Sequence, residues 1–241
     1  MDVVKDNNNT GKAYRSIRGQ ILACRLLPGE KLVISDLCAQ IGVSLGAVRE
    51  ALARLTSEGL ATLEPNKGYR VTAITLDELV DLTSVRILIE SQCIRNAIVA
   101  GDLSWEGRIV SALYELSRIP LQDIDDPGRI NEEWTRAHYR FHEALVAACD
   151  SPWLIRLREL LYVQSERYRQ MSVPLARLAR NVNAEHQAIA DAIIGRDTAL
   201  SERLMSEHLD KTTKILIDAH IMDAADRKKC RKVSTETAGA T

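Results

Sequence analysis

Apolar residues recur at helical spacing along most of the chain, and glycine, proline and capping residues interrupt them. One apolar stripe, with members at i, i+3, i+4 and i+7, consists of Val48, Ala51, Leu52 and Leu55. Ser44 stands at the N-cap position, so we expect a helix that runs from there to about Glu58. A shorter helix over residues 36–40 precedes it and ends at Gly42, a residue that tolerates the positive φ of a turn.

Two short apolar segments after this helix predict a β-hairpin. Residues 60–63 and 69–71 flank Glu-Pro-Asn-Lys-Gly at 64–68, a composition that suits a hairpin tip. A helix-turn-helix followed by a hairpin is a winged helix-turn-helix, which places its second helix in the DNA major groove. We therefore predict a DNA-binding domain over residues 13–72, preceded by a disordered polar arm at residues 1–12.

The rest of the chain predicts helices with short connections. A capping box at residues 75–78 opens a long helix that ends near residue 100. Five more helices are expected, over about 104–118, 129–149, 151–171, 174–194 and 197–220. Residues 77–220 are therefore predicted to form an antiparallel helical bundle, with a hinge at 73–76 and a basic disordered tail at 221–241. The expected fold class is mainly α.

Composition supports two helical domains in an intracellular protein. The 241 residues are enough for two modest domains, and the low aromatic content, with Phe141 as the single phenylalanine, favours a helical core. The five cysteines are odd in number and widely spaced, so we expect reduced thiols in a cytoplasmic protein. No apolar run approaches the roughly 18 residues that span a bilayer, and the polar N-terminus has no signal-peptide core. We expect no membrane partner.

The near-neutral net charge hides an asymmetry between the two predicted domains. Residues 1–72 carry 10 Lys and Arg against 7 Asp and Glu, whereas residues 73–220 carry 17 against 23. A basic first domain joined to an acidic second domain is typical of a DNA-binding domain attached to a domain that does not contact DNA. Within the acidic part, Arg167, Tyr168 and Arg169 form a small basic and aromatic cluster. We interpret this cluster as a solvated helix face, with pocket involvement as the alternative.

Four histidines fall inside the predicted bundle. His138 and His142 are spaced i, i+4 on one helix, so they project side by side and can bind one ion. His186 and His208 lie midway along the fifth and sixth helices of the bundle. If the three helices pack inward at these positions, the four imidazoles converge in the core. The residues alone leave the alternative open that these are surface or hydrogen-bonded histidines.

The predicted winged helix-turn-helix, residues 13–72, resembles the DNA-binding domain of the GntR transcription regulators. The resemblance rests on 27–32 (Leu-Pro-Gly-Glu-Lys-Leu), 48–52 (Val-Arg-Glu-Ala-Leu), 58–60 (Glu-Gly-Leu) and 66–71 (Asn-Lys-Gly-Tyr-Arg-Val). The family usually has Arg-Thr-Pro after the Val-Ser pair, whereas this chain has Leu45-Gly46-Ala47, so one cationic DNA contact is missing. The residues expected to contact DNA lie on the recognition helix and wing: Ser44, Arg49, Arg54, Lys67, Gly68 and Arg70.

The bundle resembles the FCD ligand-binding domain of the FadR-type branch of that family. The resemblance rests on segments 86–90, 141–145, 185–189 and 205–209. Many such domains hold a divalent ion with one Asp or Asn and three His, which implies as ligands His138, His142, His186 and His208. His138 stands where the family commonly has Asp or Asn. A set of four imidazoles favours borderline metals, so we expect Zn²⁺ or Ni²⁺.

The same resemblance implies an effector that is a small carboxylate. One carboxylate oxygen would occupy an open coordination position of the metal, and an arginine would bind the other end of the effector with its planar guanidinium group. Arg86 stands in the first bundle helix, where the family often has an arginine near the ligand. Its alternative role is an intrahelical ion pair with Glu90 at i+4. The sequence leaves both roles open.

The expected function is a metabolite-responsive transcription regulator, by default a repressor, that binds a palindromic operator as a homodimer. The alternative of a metal-dependent enzyme is disfavoured, because the chain has no His-Glu-x-x-His signature and no evident Ser/His/Asp set. We therefore predict no enzymatic activity. A third hypothesis retains DNA binding and makes the metal purely structural, or makes it the sensed signal.

Overall fold

The computed structural model describes residues 8–126, 128–172 and 180–237, with side chains described as far as Asp218. These residues divide into two compact units. The first unit comprises the described residues up to Leu79 together with Leu160–Gln170, and the second comprises Val80–Glu159 and the described residues from Met171 onward.

The first unit is a winged helix-turn-helix. Its elements are α1 (Asn9–Leu22), β1 (Lys31–Leu32), α2 (Ile34–Ile41), α3 (Leu45–Ser57), β2 (Ala61–Glu64) and β3 (Gly68–Val71). The three strands form one antiparallel sheet in the order β1-β3-β2, with Leu32 and Leu63 both opposite Tyr69. The predicted helix-turn-helix and hairpin are therefore confirmed.

Local chemistry places the turns of this unit. Gly42 ends α2 with a φ of 71°, a left-handed conformation that glycine adopts without steric cost. The Ser44 hydroxyl accepts a hydrogen bond from the Ala47 amide at 3.4 Å and caps α3. The apolar stripe predicted from residue 48 faces the core, since Val48, Ala51, Leu52 and Leu55 are fully buried. The recognition helix is thus held by its inner face and leaves its outer face to solvent.

Part of helix α7 (Pro152–Ser172) belongs to the first unit. The Gln164 side-chain amide donates to the Glu58 carbonyl at 2.6 Å, and the Arg167 guanidinium donates to the Thr72 carbonyl at 2.9 Å. Arg167 and Tyr168 are buried, so the interpretation of this cluster as a solvated helix face is wrong. The physical reason is that a guanidinium can be buried where backbone carbonyls accept its N–H groups.

The second unit is built mainly from six helices. They are α4 (Leu76–Ala100), α5 (Leu103–Ser117), α6 (Glu132–Val146), α7, α8 (Val182–Ile194) and α9 (Thr198–Thr237). One apolar core joins them, and its largest members include Ile94, Trp105, Ile109, Phe141 and Ile193. The prediction of a mainly α protein is confirmed. None of the described helices is both long enough and apolar enough to cross a bilayer.

The ends of several elements differ from the sequence prediction. Helix α9 continues to Thr237, so helix replaces the disordered tail expected at 221–241 up to that residue, because no glycine or proline interrupts residues 198–237. Helix α1 already begins at Asn9, since the Asn8 side chain accepts from the Gly11 amide. Residues 1–7 of the predicted arm, residues 238–241 and the helix start expected at residue 174 lie outside the described residues.

The tight connection between α4 and α5 provides a first prediction. A Cβ at Gly101 would lie 2.0 Å from the buried Trp105 ring and 2.7 Å from the Ala97 carbonyl oxygen. We expect Gly101→Ala to lower the free energy of unfolding by about 1–3 kcal/mol, because overpacking forces the indole to move. Urea denaturation measures this loss.

The matched control for this change is Gly107→Ala on α5. A Cβ at Gly107 would meet nothing within 4 Å, so the change should be neutral or stabilise by up to about 1 kcal/mol through helix propensity. Equal midpoints for both variants and the wild-type protein would contradict the packing argument.

Candidate metal centre and nucleic-acid interface

The four predicted histidines converge inside the second unit. Helix α6 supplies His138 and His142, α8 supplies His186, and α9 supplies His208. Each lies on the inward face of its helix, and all four side chains are at least nine-tenths buried. On α6 the inward positions recur at helical spacing around Trp134 and the two histidines, which explains why the pair points into the core.

The geometry of this cluster suits a single divalent ion. One possible donor atom from each of the four imidazoles lies within 4.8 Å of the donor atoms of the other three. Ring centroids are 4.4 Å apart for His138 and His142 and 4.9 Å apart for His186 and His208. Two nitrogen ligands on opposite sides of one ion would lie about 4.1 Å apart, given metal–nitrogen distances of about 2.0–2.1 Å. Small side-chain adjustments would therefore bring the four donors to coordination distance.

Burial keeps two of the imidazoles, those of His142 and His208, in the neutral form that binds metal. Burial lowers the pKa of His142 well below its ordinary value, and His208, His186, Arg86 and Arg158 lower it further. Burial also lowers the pKa of His208, although its hydrogen bond to a carboxylate opposes the shift. Metal binding needs deprotonated ligands, so His142 and His208 need release no proton to bind an ion at neutral pH.

A buried charge network lies beside the cluster. Glu90 is fully buried on α4, and it accepts from the Arg158 Nε at 2.9 Å and from an Arg86 Nη at 3.4 Å. The predicted intrahelical pair between Arg86 and Glu90 is present, with a long contact. Both guanidinium groups also act on His142 electrostatically, as its lowered pKa shows. Arg158 was not identified from the sequence as part of the site. The one sequence feature that could have indicated its burial is the i, i+4 spacing to Tyr162, which is also buried.

This network leads to a second prediction. Glu90→Gln removes a buried carboxylate charge that both guanidinium groups contact, so we expect the free energy of unfolding to fall by about 3 kcal/mol. The control is Glu202→Gln, which breaks an ion pair with Arg95, a half-exposed residue, and should cost less than about 1 kcal/mol. Denaturant titration of both variants compares the two losses. Similar losses of unfolding free energy in the two variants would contradict the argument that burial strengthens the ion pairs of Glu90.

On the winged helix, the exposed cations among the predicted DNA-binding residues include Arg49 and Lys67. Arg49 lies on the outer face of α3, and Lys67 lies in the turn between β2 and β3. Ser44 and Leu45 are also exposed at the start of α3. Gly68 begins β3 with a φ of 86°, which lets the wing turn tightly.

The other two predicted cations, the exposed Arg54 and the partly buried Arg70, have structural contacts within the domain. The Arg54 guanidinium lies 3.8 Å from the centre of the Tyr14 ring and 3.5 Å from the Glu58 carboxylate. The Arg70 guanidinium pairs with Glu64 at 3.1 Å and donates to the Gly29 carbonyl at 3.0 Å. These two residues therefore stabilise the fold of the domain, whatever they contribute at the DNA.

Both halves of the chain match family models. Residues 9–71 match the model of the bacterial regulatory proteins of the gntR family, and residues 81–211 match the FCD domain model. The chain belongs to the GntR family. It is a DNA-binding transcriptional regulator with an FCD domain, not an enzyme.

Curated relatives agree with this assignment, and a solved structure shares the fold. The chain is 36% identical over 203 residues to the uncharacterized HTH-type transcriptional regulator BphR of Paraburkholderia xenovorans, covering 84% of this chain and 83% of that protein. It is 33% identical over 200 residues to the HTH-type transcriptional repressor GlaR of Escherichia coli, covering 81% and 90% respectively. The structure of E. coli McbR/YncC shares the fold, with a TM-score of 0.70, 20% identity and coverage of 88% of this chain and 99% of that one.

Proposed function

We propose that this GntR-family regulator is a repressor of metabolic genes that is released from DNA by a small carboxylate. The observation that carries the proposal is the set of four buried imidazoles whose donor atoms lie within 4.8 Å of one another. In this proposal His138, His142, His186 and His208 hold one divalent ion, Zn²⁺ or Ni²⁺. The ion would supply a Lewis-acidic position for an oxygen of the effector.

The charges around the cluster support an anionic effector. Burial keeps His142 and His208 neutral. Among the described contacts, the adjacent network joins the guanidinium groups of Arg86 and Arg158 to the carboxylate of Glu90. In these contacts two guanidinium charges face one carboxylate charge, so positive charge is in excess before any ion binds. A carboxylate would offset that charge, and the planar guanidinium of Arg86 could pair with it in a bidentate manner.

On the DNA side, we propose that the protein binds a palindromic operator as a homodimer in the cytoplasm. Two winged helices would then place their recognition helices about 34 Å apart, one turn of the duplex. Arg49 and Lys67 would supply the exposed cationic contacts, with Ser44, Gly68, Arg54 and Arg70 around them. Repression is supported by the relatives GlaR and RspR of E. coli, which are both named transcriptional repressors.

Effector binding would act by favouring one of two arrangements of the dimer. A ligand shifts such an equilibrium only by its difference in affinity for the two states, typically about 1–3 kcal/mol, which corresponds to about 5–150-fold in DNA affinity. We expect a change of this size in operator binding when the effector is saturating.

A DNA-binding titration in the presence of candidate acids tests the proposal. Purified protein and a fragment of its own promoter region are followed by fluorescence anisotropy at fixed Zn²⁺, and a panel of small mono- and dicarboxylates is added. Release of the DNA by an acid at constant metal is the expected result. Release by metal addition alone would instead indicate that the metal is the sensed signal. Failure to bind any promoter fragment would contradict the regulatory proposal itself.

A further inference from the structure

A carboxylate from outside the histidine cluster contacts one of its rings. Glu185 lies on α8 directly before His186, yet its Oε2 lies 2.8 Å from Nδ1 of His208 on α9. Two cations hold the same carboxylate: Arg180 pairs with it at 2.8 Å, and Lys211 pairs with it at 3.2 Å. Glu185 is mostly buried, so water screens these contacts only weakly.

The contacts around His208 decide which ring nitrogen carries the proton. A carboxylate paired with two cations can only accept hydrogen bonds, so the 2.8 Å contact requires a proton on Nδ1. The Arg180 Nη2 also lies 3.3 Å from Nδ1, but its two hydrogens are directed to Glu185 Oε2 at 2.8 Å and to the His208 carbonyl at 3.0 Å. Arg180 therefore does not compete for Nδ1, and the lone pair of His208 is on Nε2.

We propose that Glu185 is a positioning residue for the metal centre. It holds His208 as the Nδ1–H tautomer, so that Nε2 is the donor atom offered to the ion. This inference rests on the proposed function, in which the four histidines bind one divalent ion. A carboxylate that accepts from the second nitrogen of a metal-binding histidine fixes the ring and makes the donor nitrogen more basic. Glu185 also places a negative charge next to a ligand set that has none of its own.

A second glutamate provides a contrast within the same site. Glu207 also directly precedes a cluster histidine, His208, and it also pairs with an arginine, Arg203. That pair lies on the surface of α9, with side chains 48% and 61% exposed. The local sequence Glu-His is therefore the same at both places, but only the α8 glutamate reaches a ring of the cluster in the described contacts. Glu207 is thus the matched control for Glu185.

The experiment compares Zn²⁺ affinity in full-length Glu185→Gln, Glu207→Gln and wild-type protein. Competition with a chromophoric chelator measures the dissociation constant for Zn²⁺ alone. We expect Glu185→Gln to bind Zn²⁺ about 10–100-fold more weakly, and Glu207→Gln to bind like the wild type. Wild-type affinity in Glu185→Gln would overturn the positioning role. Failure of the wild-type protein to bind Zn²⁺ would overturn the metal centre as a whole, so the two failures are distinguishable.

A measurement on the unaltered protein guards against a variant that fails to fold. In metal-free wild-type protein, ¹⁵N NMR of the histidine rings identifies the tautomer of His208, with a His208→Gln sample to assign its signals. We expect a protonated Nδ1 and an unprotonated Nε2. A proton on Nε2 in the wild-type protein would overturn the proposal without the need for any variant. A second contradictory result would be a folded Glu185→Gln variant in which both the His208 tautomer and the Zn²⁺ affinity are unchanged.

Discussion

A variant in which His142 and His186 are both alanine is expected to contain no divalent metal, whereas the wild-type protein should contain about one ion per chain. The two histidines lie on different helices, α6 and α8, and supply half of the four donors. A structural Zn²⁺ site of four ligands contributes about 10–16 kcal/mol, so loss of two donors should cost roughly half of that, more than about three orders of magnitude in affinity. Inductively coupled plasma mass spectrometry of tag-free protein measures the metal content.

The control for this prediction is Gln187→Ala. Gln187 is next to His186 in the chain, but its amide donates to Asp191 on the exposed face of α8, so the change should leave the metal content unchanged. His138→Ala adds a graded comparison, because it removes the ligand that departs from the family pattern. We expect weaker binding rather than complete loss. One ion per chain in the double variant would place the metal elsewhere and leave the histidines as packing residues.

Metal binding should also appear in the stability of the folded protein. An ion that binds only the native state raises the free energy of unfolding by about 4 kcal/mol when its free concentration is 1,000 times its dissociation constant. The wild-type protein should therefore melt at a higher temperature with Zn²⁺ than with a chelator, and the double variant should not respond. This comparison separates a bound ion from one that merely copurifies.

Much of the fold could be predicted because capping and turn residues in the sequence mark where helices and strands begin and end. Gly42, Ser44 and the residues of the hairpin tip act through local backbone geometry, which is readable from a few neighbouring positions. The continuation of α9 was missed because a run of basic and polar residues without glycine or proline is compatible with either helix or disorder. Arg167 was misread because burial of a cation depends on distant carbonyl acceptors.

The candidate site depends even more on contacts between residues that are distant in the chain, which local sequence patterns do not reveal. The spacing of His138 and His142 predicts that two rings lie side by side, since helical geometry fixes it. Their meeting with His186 and His208 depends on how three helices pack, and the residues alone left that open. Arg158 and Glu185 were not predicted at all, because each acts on a partner far away in the chain, Glu90 in one case and His208 in the other.

Replacement of Arg49 by alanine is expected to abolish most operator binding. Arg49 is exposed on the outer face of the recognition helix. The family's usual arginine one turn earlier is Leu45 here, so that cation cannot replace Arg49. A lost arginine–base contact costs about 1–3 kcal/mol, and a dimer loses two of them. The dissociation constant should therefore rise by at least about 30-fold. Fluorescence anisotropy with a promoter fragment, repeated over a range of KCl concentrations, measures affinity and its salt dependence.

The salt series also distinguishes the role of the wing from that of the recognition helix. Lys67→Ala should weaken binding to all DNA sequences alike. It should also reduce the slope of log affinity against log salt by about 2 per dimer, because about one fewer counterion is released on binding for each phosphate contact that is lost. Arg54→Ala should instead lower thermal stability, since it removes the contacts with Tyr14 and Glu58. Arg108→Ala changes an exposed cation on α5 in the bundle and serves as the control for net charge. Wild-type affinity and slope in Arg49→Ala and Lys67→Ala would mean that a different face of the domain meets the DNA.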